Sequence, residues 1–194
     1  MKRPIIYTLL NPTEEGFMKY FVLINFLFIF FTGCTNKLPI PGSDNIESIL
    51  IMPHKATNQT KKPFGFKYTF TLKTEDGMEK IIEFYPRTKK QFFMFDFLPP
   101  GTYKFENRQD CLAVRGKTRS NCRLRKTKPI KFTLSSNSIT ILKNGFRVRQ
   151  SWKNNMNSIS AKFTSVPKIK IQQIIEELKT LENYEKWTVV ESNQ

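Results

Sequence analysis

Eight cationic side chains fall within one short segment: Arg108, Arg115, Lys117, Arg119, Arg123, Arg125, Lys126 and Lys128, with Asp110 its single acid. A guanidinium presents a planar fork of donors that matches phosphate, sulfate or carboxylate oxygens in pairs, whereas an ammonium acts as a point charge. Carried on a loop between two strands, such a cluster is a candidate anion-binding surface; the alternative is a solvated excursion of charge. Other chemistry is sparse. The one histidine, His54, follows Pro53 in a polar stretch and reads as a solvated side chain rather than the base of a Ser–His or Cys–His pair. No glycine-rich phosphate loop or His cluster at metal-ligand spacing occurs, and the acidic residues are too scattered to name an acid and base. The expectation is a non-catalytic protein with no metal and no cofactor.

A different kind of signal lies near the N-terminus. Met18-Lys19 supplies a short positive start, Tyr20 to Phe31 is almost uninterruptedly apolar, and Phe31-Thr32-Gly33-Cys34 places small residues just before a cysteine. This order resembles the signal peptide and lipobox of exported bacterial lipoproteins, although Phe31 stands where that family usually has an aliphatic residue. The resemblance implies that residues 18–33 are removed and that Cys34 is acylated and becomes the first residue of the mature chain. An uncleaved anchor is the alternative, but a bilayer needs about 20 apolar residues and this core has roughly 12 to 14. A buried strand or helix is the other. Residues 1–17 carry Glu14 and Glu15 and no signal character, so they read as an upstream extension with Met18 the preferred start. Thr35 after the cysteine resembles lipoproteins sent to the outer membrane of Gram-negative bacteria, which implies a lipid-anchored place in the cell envelope.

Export changes the reading of the other residues. With Cys34 lipidated, Cys111 and Cys122 remain, and an oxidising compartment would let them join. The loop so closed is about a dozen residues, for which chain entropy gives roughly 3 kcal/mol. Free or metal-binding thiols are the alternative. The net charge is +16, and residues 1–33 hold three basic and two acidic groups, leaving +15 on the 161 residues after them. That balance normally suggests nucleic acid. Outside the cytoplasm it points instead to lipid headgroups, lipopolysaccharide, acidic glycans or matrix proteins, with a Lys-rich soluble surface as the bland alternative.

The elements that must carry these residues read mainly as strands. Residues 34–46 mix Pro, Gly and polar residues as a tether would. Ser48 to Met52 is a strand-length apolar run stopped by Pro53. Phe64 to Leu72 alternates strictly, Asp76-Gly77 gives a tight turn, and Lys80 to Tyr85 returns. Phe92 to Phe97 runs into Leu98-Pro99-Pro100-Gly101-Thr102-Tyr103, from which Thr102 to Glu106 leaves as the next strand. Pro129 to Leu134, a Ser135-Ser136-Asn137 turn and Ser138 to Leu142 form an expected hairpin.

The Leu-Pro-Pro-Gly-Thr-Tyr turn with the later Ile130 to Leu142 pair is similar to prealbumin-like β-sandwiches, such as carboxypeptidase regulatory domains and the B-type repeats of bacterial surface proteins. That similarity implies a structural or binding module over residues 47–143. Residues 144–166 read as additional strands or loop. After Pro167 the period becomes helical, with Ile171, Ile174, Ile175, Leu178 and Leu181 on one stripe of a helix within 167–188. That stripe would cover the sandwich or, alternatively, receive a partner helix or a second copy.

The expected fold is thus mainly β: an antiparallel β-sandwich of about seven strands with a C-terminal amphipathic α-helix. The expected function is membrane-anchored binding or envelope organisation, possibly through the basic loop. Partners would be the membrane through the lipid, and an acidic glycan, lipopolysaccharide or envelope protein, not nucleic acid. A structural periplasmic accessory that docks another envelope protein through the helix is the alternative.

Overall fold

The strongest alternation in the chain becomes the centre of a sheet. The computed structural model describes residues 37–42, 47–60, 64–114, 117–127, 129–153 and 156–192. Residues 1–36, with Cys34, and residues Arg115, Lys128, 43–46 and 154–155 therefore lie outside the described residues. β2 (Phe66–Thr74) pairs antiparallel with β3 (Glu79–Phe84) across the Asp76-Gly77 turn, and with β5 (Gly101–Val114) on its other side. The second part of β5 pairs with β6 (Lys117–Lys126), and its first part with β7 (Lys131–Leu134). This five-stranded sheet is antiparallel throughout.

The opposing six-stranded sheet, called the first because it holds β1 (the five-stranded one being the second), is mixed. Around β1 (Ser48–Asn58) stand β4 (Phe92–Phe95), β8 (Ser138–Ile141) and β9 (Asn144–Lys153), with β10 (Met156–Ser165) beyond β9 and β11 (Thr188–Glu191) beyond β8. β8 and β9 both run parallel to β1, and β11 runs parallel to β8. Parallel neighbours need long crossovers, supplied here by the whole second sheet and by the C-terminal helix.

Pro53 does not stop β1. Its first part pairs with β8 (Ile51↔Ile141) and its second with β9 (His54↔Phe146), so Pro53 sits at the changeover. On the β4 side the His54 N–H donates to Gln91 O at 2.7 Å, which makes Pro53↔Phe92 a non-hydrogen-bonded pair. The proline nitrogen therefore costs the β4 ladder no bond. Gly145 lies against this point, where a Cβ would come within 2.9 Å of Pro53 O.

The expected Pro129–Leu142 hairpin and the expected Leu98–Tyr103 turn are both arches between sheets. β7 belongs to the second sheet and β8 to the first, so the Ser135-Ser136-Asn137 turn crosses the sandwich. Burial explains the difference: β7 alternates exposed and buried, as a sheet wet on one face requires, whereas every residue of β8 is buried. The Leu-Pro-Pro-Gly-Thr-Tyr segment likewise leads from β4 to β5, with Gly101 at φ 152° and the Tyr103 hydroxyl donating to Pro99 O at 2.7 Å.

Between the sheets lies an aromatic core. Phe70 meets Phe146 edge-on at 5.1 Å, Phe84 packs on Phe93 at 4.2 Å, and Phe105 joins Phe132 and Phe163. The outer face of the first sheet is covered in part by α1 (Lys168–Lys179), whose Ile171, Ile174 and Leu178 pack with Ile49, Ile51, Ile139 and Ile141. Burial on both faces is why β1 reads as a continuous apolar run. β9 and β10 complete the same sheet, and their Phe146 and Phe163 enter the common core, so residues 144–166 are not an appendage.

The expected tether is docked where it is described. Lys37 bridges Glu182, the Leu38 N–H donates to Glu182 O at 2.9 Å, and Leu38 is fully buried. Asn183 Nδ2 donates to Leu38 O at 3.0 Å and Trp187 Nε1 to Pro39 O at 2.8 Å. Leu38 is the apolar anchor that a composition of Pro, Gly and polar neighbours hides.

Candidate anion-binding groove

The basic loop of the sequence is a β-hairpin. β5 and β6 pair from Asn107↔Lys126 to Val114↔Lys117, with a register shift between Cys111 and Ala113. Cys111 stands directly opposite Cys122, and a disulfide joins them at a Cα–Cα distance of 4.0 Å. The described cations thus ride on strands, where successive side chains take opposite faces.

The register puts Arg108, Asp110, Arg123 and Arg125 on one face and Lys126 on the other. Arg108 points inward, its side chain 12% exposed, and its Nε and Nη2 donate to the two carboxylate oxygens of Asp110 at 2.6 and 3.0 Å. Its Nη1 donates to Ala161 O on β10 at 2.9 Å, and its guanidinium lies over the Tyr68 and Phe146 rings at 5.7 and 5.5 Å. Arg108 is a neutralised clasp between the sheets rather than a free anion binder. Burial, reinforced by the Asp110 charge, raises the Tyr68 pKa and keeps its hydroxyl protonated.

Arg123, Arg125 and Lys126 are exposed on β6. Arg125 Nε lies 3.9 Å from Asp110, whose two oxygens already serve Arg108. Lys117 and Arg119 belong to β6, but their side chains lie outside the described residues, as do Arg115 and Lys128 entirely.

The described cations rim a groove of about 1170 Å³ between β5–β6 of one sheet and β10 of the other. Its floor is apolar and aromatic, from Phe66, Tyr68, Ile130, Ile159 and Phe163. Its rim gains Lys131 and Lys162, which the sequence cluster omits. Lys131 lies 3.8 Å from Glu75 with both side chains largely exposed, a pairing of little strength. Both lysines occupy exposed alternate positions of their strands, a signal recognisable only once the strands are known to converge.

β10 contributes Ile159 to Ser165 consecutively to the groove wall, so its unpaired backbone edge is itself part of the site. The arrangement can hold an anion with an apolar or ring-bearing body: guanidinium and ammonium groups for its oxygens, aromatic surface for its rings.

His54 is not a solvated loop residue. It belongs to β1, is 4% exposed, and its ring packs on Phe93 at 4.8 Å and edge-on to Phe84 at 5.9 Å. Nδ1 lies 3.1 Å from Phe146 O, which assigns it the proton, and Nε2 accepts the Arg87 backbone N–H at 3.4 Å. Burial lowers its pKa to about 4, against the opposing pull of the Phe146 carbonyl and with help from the Lys90 charge.

Among the described residues, no three His, Cys, Asp or Glu side chains group as metal ligands, and no helix is long and apolar enough to cross a membrane. Comparison with protein-family models, curated proteins and solved structures finds no match to the chain.

Proposed function

We propose that the protein is a lipid-anchored, non-catalytic module of the bacterial envelope that binds anionic ligands in the groove between its two sheets. The observation carrying this reading is the pairing of an aromatic floor with a rim of Arg123, Arg125, Lys126, Lys131 and Lys162, opposed only by the already engaged Asp110 among the groove's lining residues. The anchoring is supported by the Lys19, apolar-run and Gly33-Cys34 order, which resembles a lipobox, and an outer-membrane location by Thr35 after the cysteine. There the anions at hand are acidic glycans and lipopolysaccharide. Docking of an envelope protein through the helix is less well supported, because the apolar stripe of α1 is spent on the first sheet.

Heparin and lipopolysaccharide binding test the groove. Arg123, Arg125, Lys126 and Lys131 changed together to Ser should weaken both at least tenfold, while Lys80, Lys89, Lys179 and Lys186 changed to Ser should have little effect. Binding should fall steeply with salt, since exposed charges are screened beyond roughly 10 Å at 0.1 M. A folded groove variant that binds as well as the distant control would overturn the reading.

A further inference from the structure

The groove is not the only place where the fold gathers unopposed cations. On the outer face of the first sheet, β1, β9 and β10 align Lys55 with Arg147 and Arg147 with Lys162. Residues in register across a sheet share a face, so three positive charges form one row across three neighbouring strands. At the usual strand spacing that row spans about 10 Å. Arg149 lies two residues further along β9 on the same face, where it donates to Gln59 Oε1 at 3.1 Å.

Like charges directly opposite one another destabilise a sheet. No acid on these three strands offsets them, because β1, β9 and β10 contain no Asp or Glu. Nor does any described ion pair involve Lys55, Arg147 or Lys162. α1 covers the apolar part of this face, through Ile49, Ile51, Ile139 and Ile141, and leaves Lys55 and Arg147 exposed.

Lys162 belongs to both features. It lines the groove at the edge formed by β10, and its register with Arg147 closes the row on the outer face. The two cationic surfaces are therefore one track that bends around the edge of the sandwich.

We infer that this track receives a linear sulfated polysaccharide, which enters the groove and continues over β10 onto the Lys55–Arg147 row. The inference rests on the anion-binding reading of the groove and deepens it by naming the ligand class. A compact anion fits one surface or the other and leaves the second row of charge unanswered. A bilayer is flat and cannot reach both the inside of a groove and the outer face of its wall. A flexible polymer with regularly spaced sulfates meets both requirements, and its sugar rings suit the half-buried Phe66 and Phe163 of the floor.

The test uses heparin disaccharide and dodecasaccharide with the full-length processed protein, its groove variant, and a row variant carrying Lys55→Thr and Arg147→Thr. Threonine keeps strand propensity at exposed positions. The row variant should bind the dodecasaccharide about tenfold more weakly and bind the disaccharide unchanged. Its slope of log affinity against log salt should fall by about two, one for each lost cation, by analogy with counterion release from other polyanions. Without ligand it should unfold at higher urea than the native protein, since a like-charge contact has been removed. Native-like dodecasaccharide binding by the row variant, with loss in the groove variant, would overturn the track and leave the groove reading standing. Equal losses for both sugars would also overturn it, because the row would then act through the groove. Recruitment of anionic phospholipid vesicles through the row, with no heparin binding by the native protein, would overturn both readings.

Discussion

The burial of His54 makes a quantitative demand on stability. In the fold the imidazole is neutral, with Nδ1–H donating to Phe146 O and Nε2 accepting from Arg87, and its pKa is lowered from 6.5 to about 4. In the unfolded chain the ring titrates at its ordinary value, so between pH 6.5 and 4 the unfolded state binds more protons and stability falls as pH falls. The contribution is fully present above pH 6.5 and lost by about pH 4. At 1.36 kcal/mol per pKa unit the whole window is worth about 3 kcal/mol, and the loss by pH 5 is about 2 kcal/mol. Carboxylates held below their usual range, Asp76 and Glu176, add their own acid sensitivity, so a single protein cannot isolate the histidine. His54→Gln can, because glutamine keeps a donor for Phe146 O and does not titrate. Urea unfolding of both proteins from pH 7.5 to 4.5 should show the native protein losing about 2 kcal/mol more than the variant by pH 5. As the chain has one histidine, its proton resonance should stay flat above pH 5. Parallel losses in the two proteins, or a ring that titrates near 6.5 in the folded state, would refute the reasoning.

Two further outcomes are expected. Changing Cys111 and Cys122 together to Ser should lower unfolding stability by up to about 3 kcal/mol, the chain-entropy value for so short a loop. Amide exchange should quicken first in β5–β6 beyond Arg108, and unchanged protection there would show that pairing alone holds the arm. Cys34→Ser should yield an unprocessed or soluble precursor in the bacterial host; unchanged mass and detergent partitioning would remove the lipid.

What could be read along the chain were features with a local cause. The Phe66–Thr74 strand alternates because one face meets the core and the other water, and β3 follows from the Asp76-Gly77 turn. The helix stripe at Ile171, Ile174 and Leu178 has the period that its single buried face requires. Features with distant causes were hidden. Pro53 is tolerated because β8 gives way to β9 beside it, some 90 residues further along the chain. His54 is buried by Phe84, Phe93 and Phe146, from three separate strands, and nothing in its own neighbours announces that. Parallel pairing is equally invisible locally, since a strand's own pattern does not record the direction of its neighbour.

The charges show why linear density is a poor guide to a site. Arg108 begins the densest basic run yet is spent on Asp110 and Ala161, so it binds the two sheets to each other instead of a ligand. Lys131 and Lys162 stand outside that run but line the same groove, because β7 and β10 bring them there. Lys55 and Arg147 are separated by most of the fold and lie side by side through one parallel register. A run of cations along the chain reports only that the segment meets water. A row of cations across strands reports a cost that packing did not remove, and that cost is the stronger reason to look for an anion. The row variant therefore weighs more than the groove variant: stability gained without ligand together with polymer binding lost would show both sides of the same interaction.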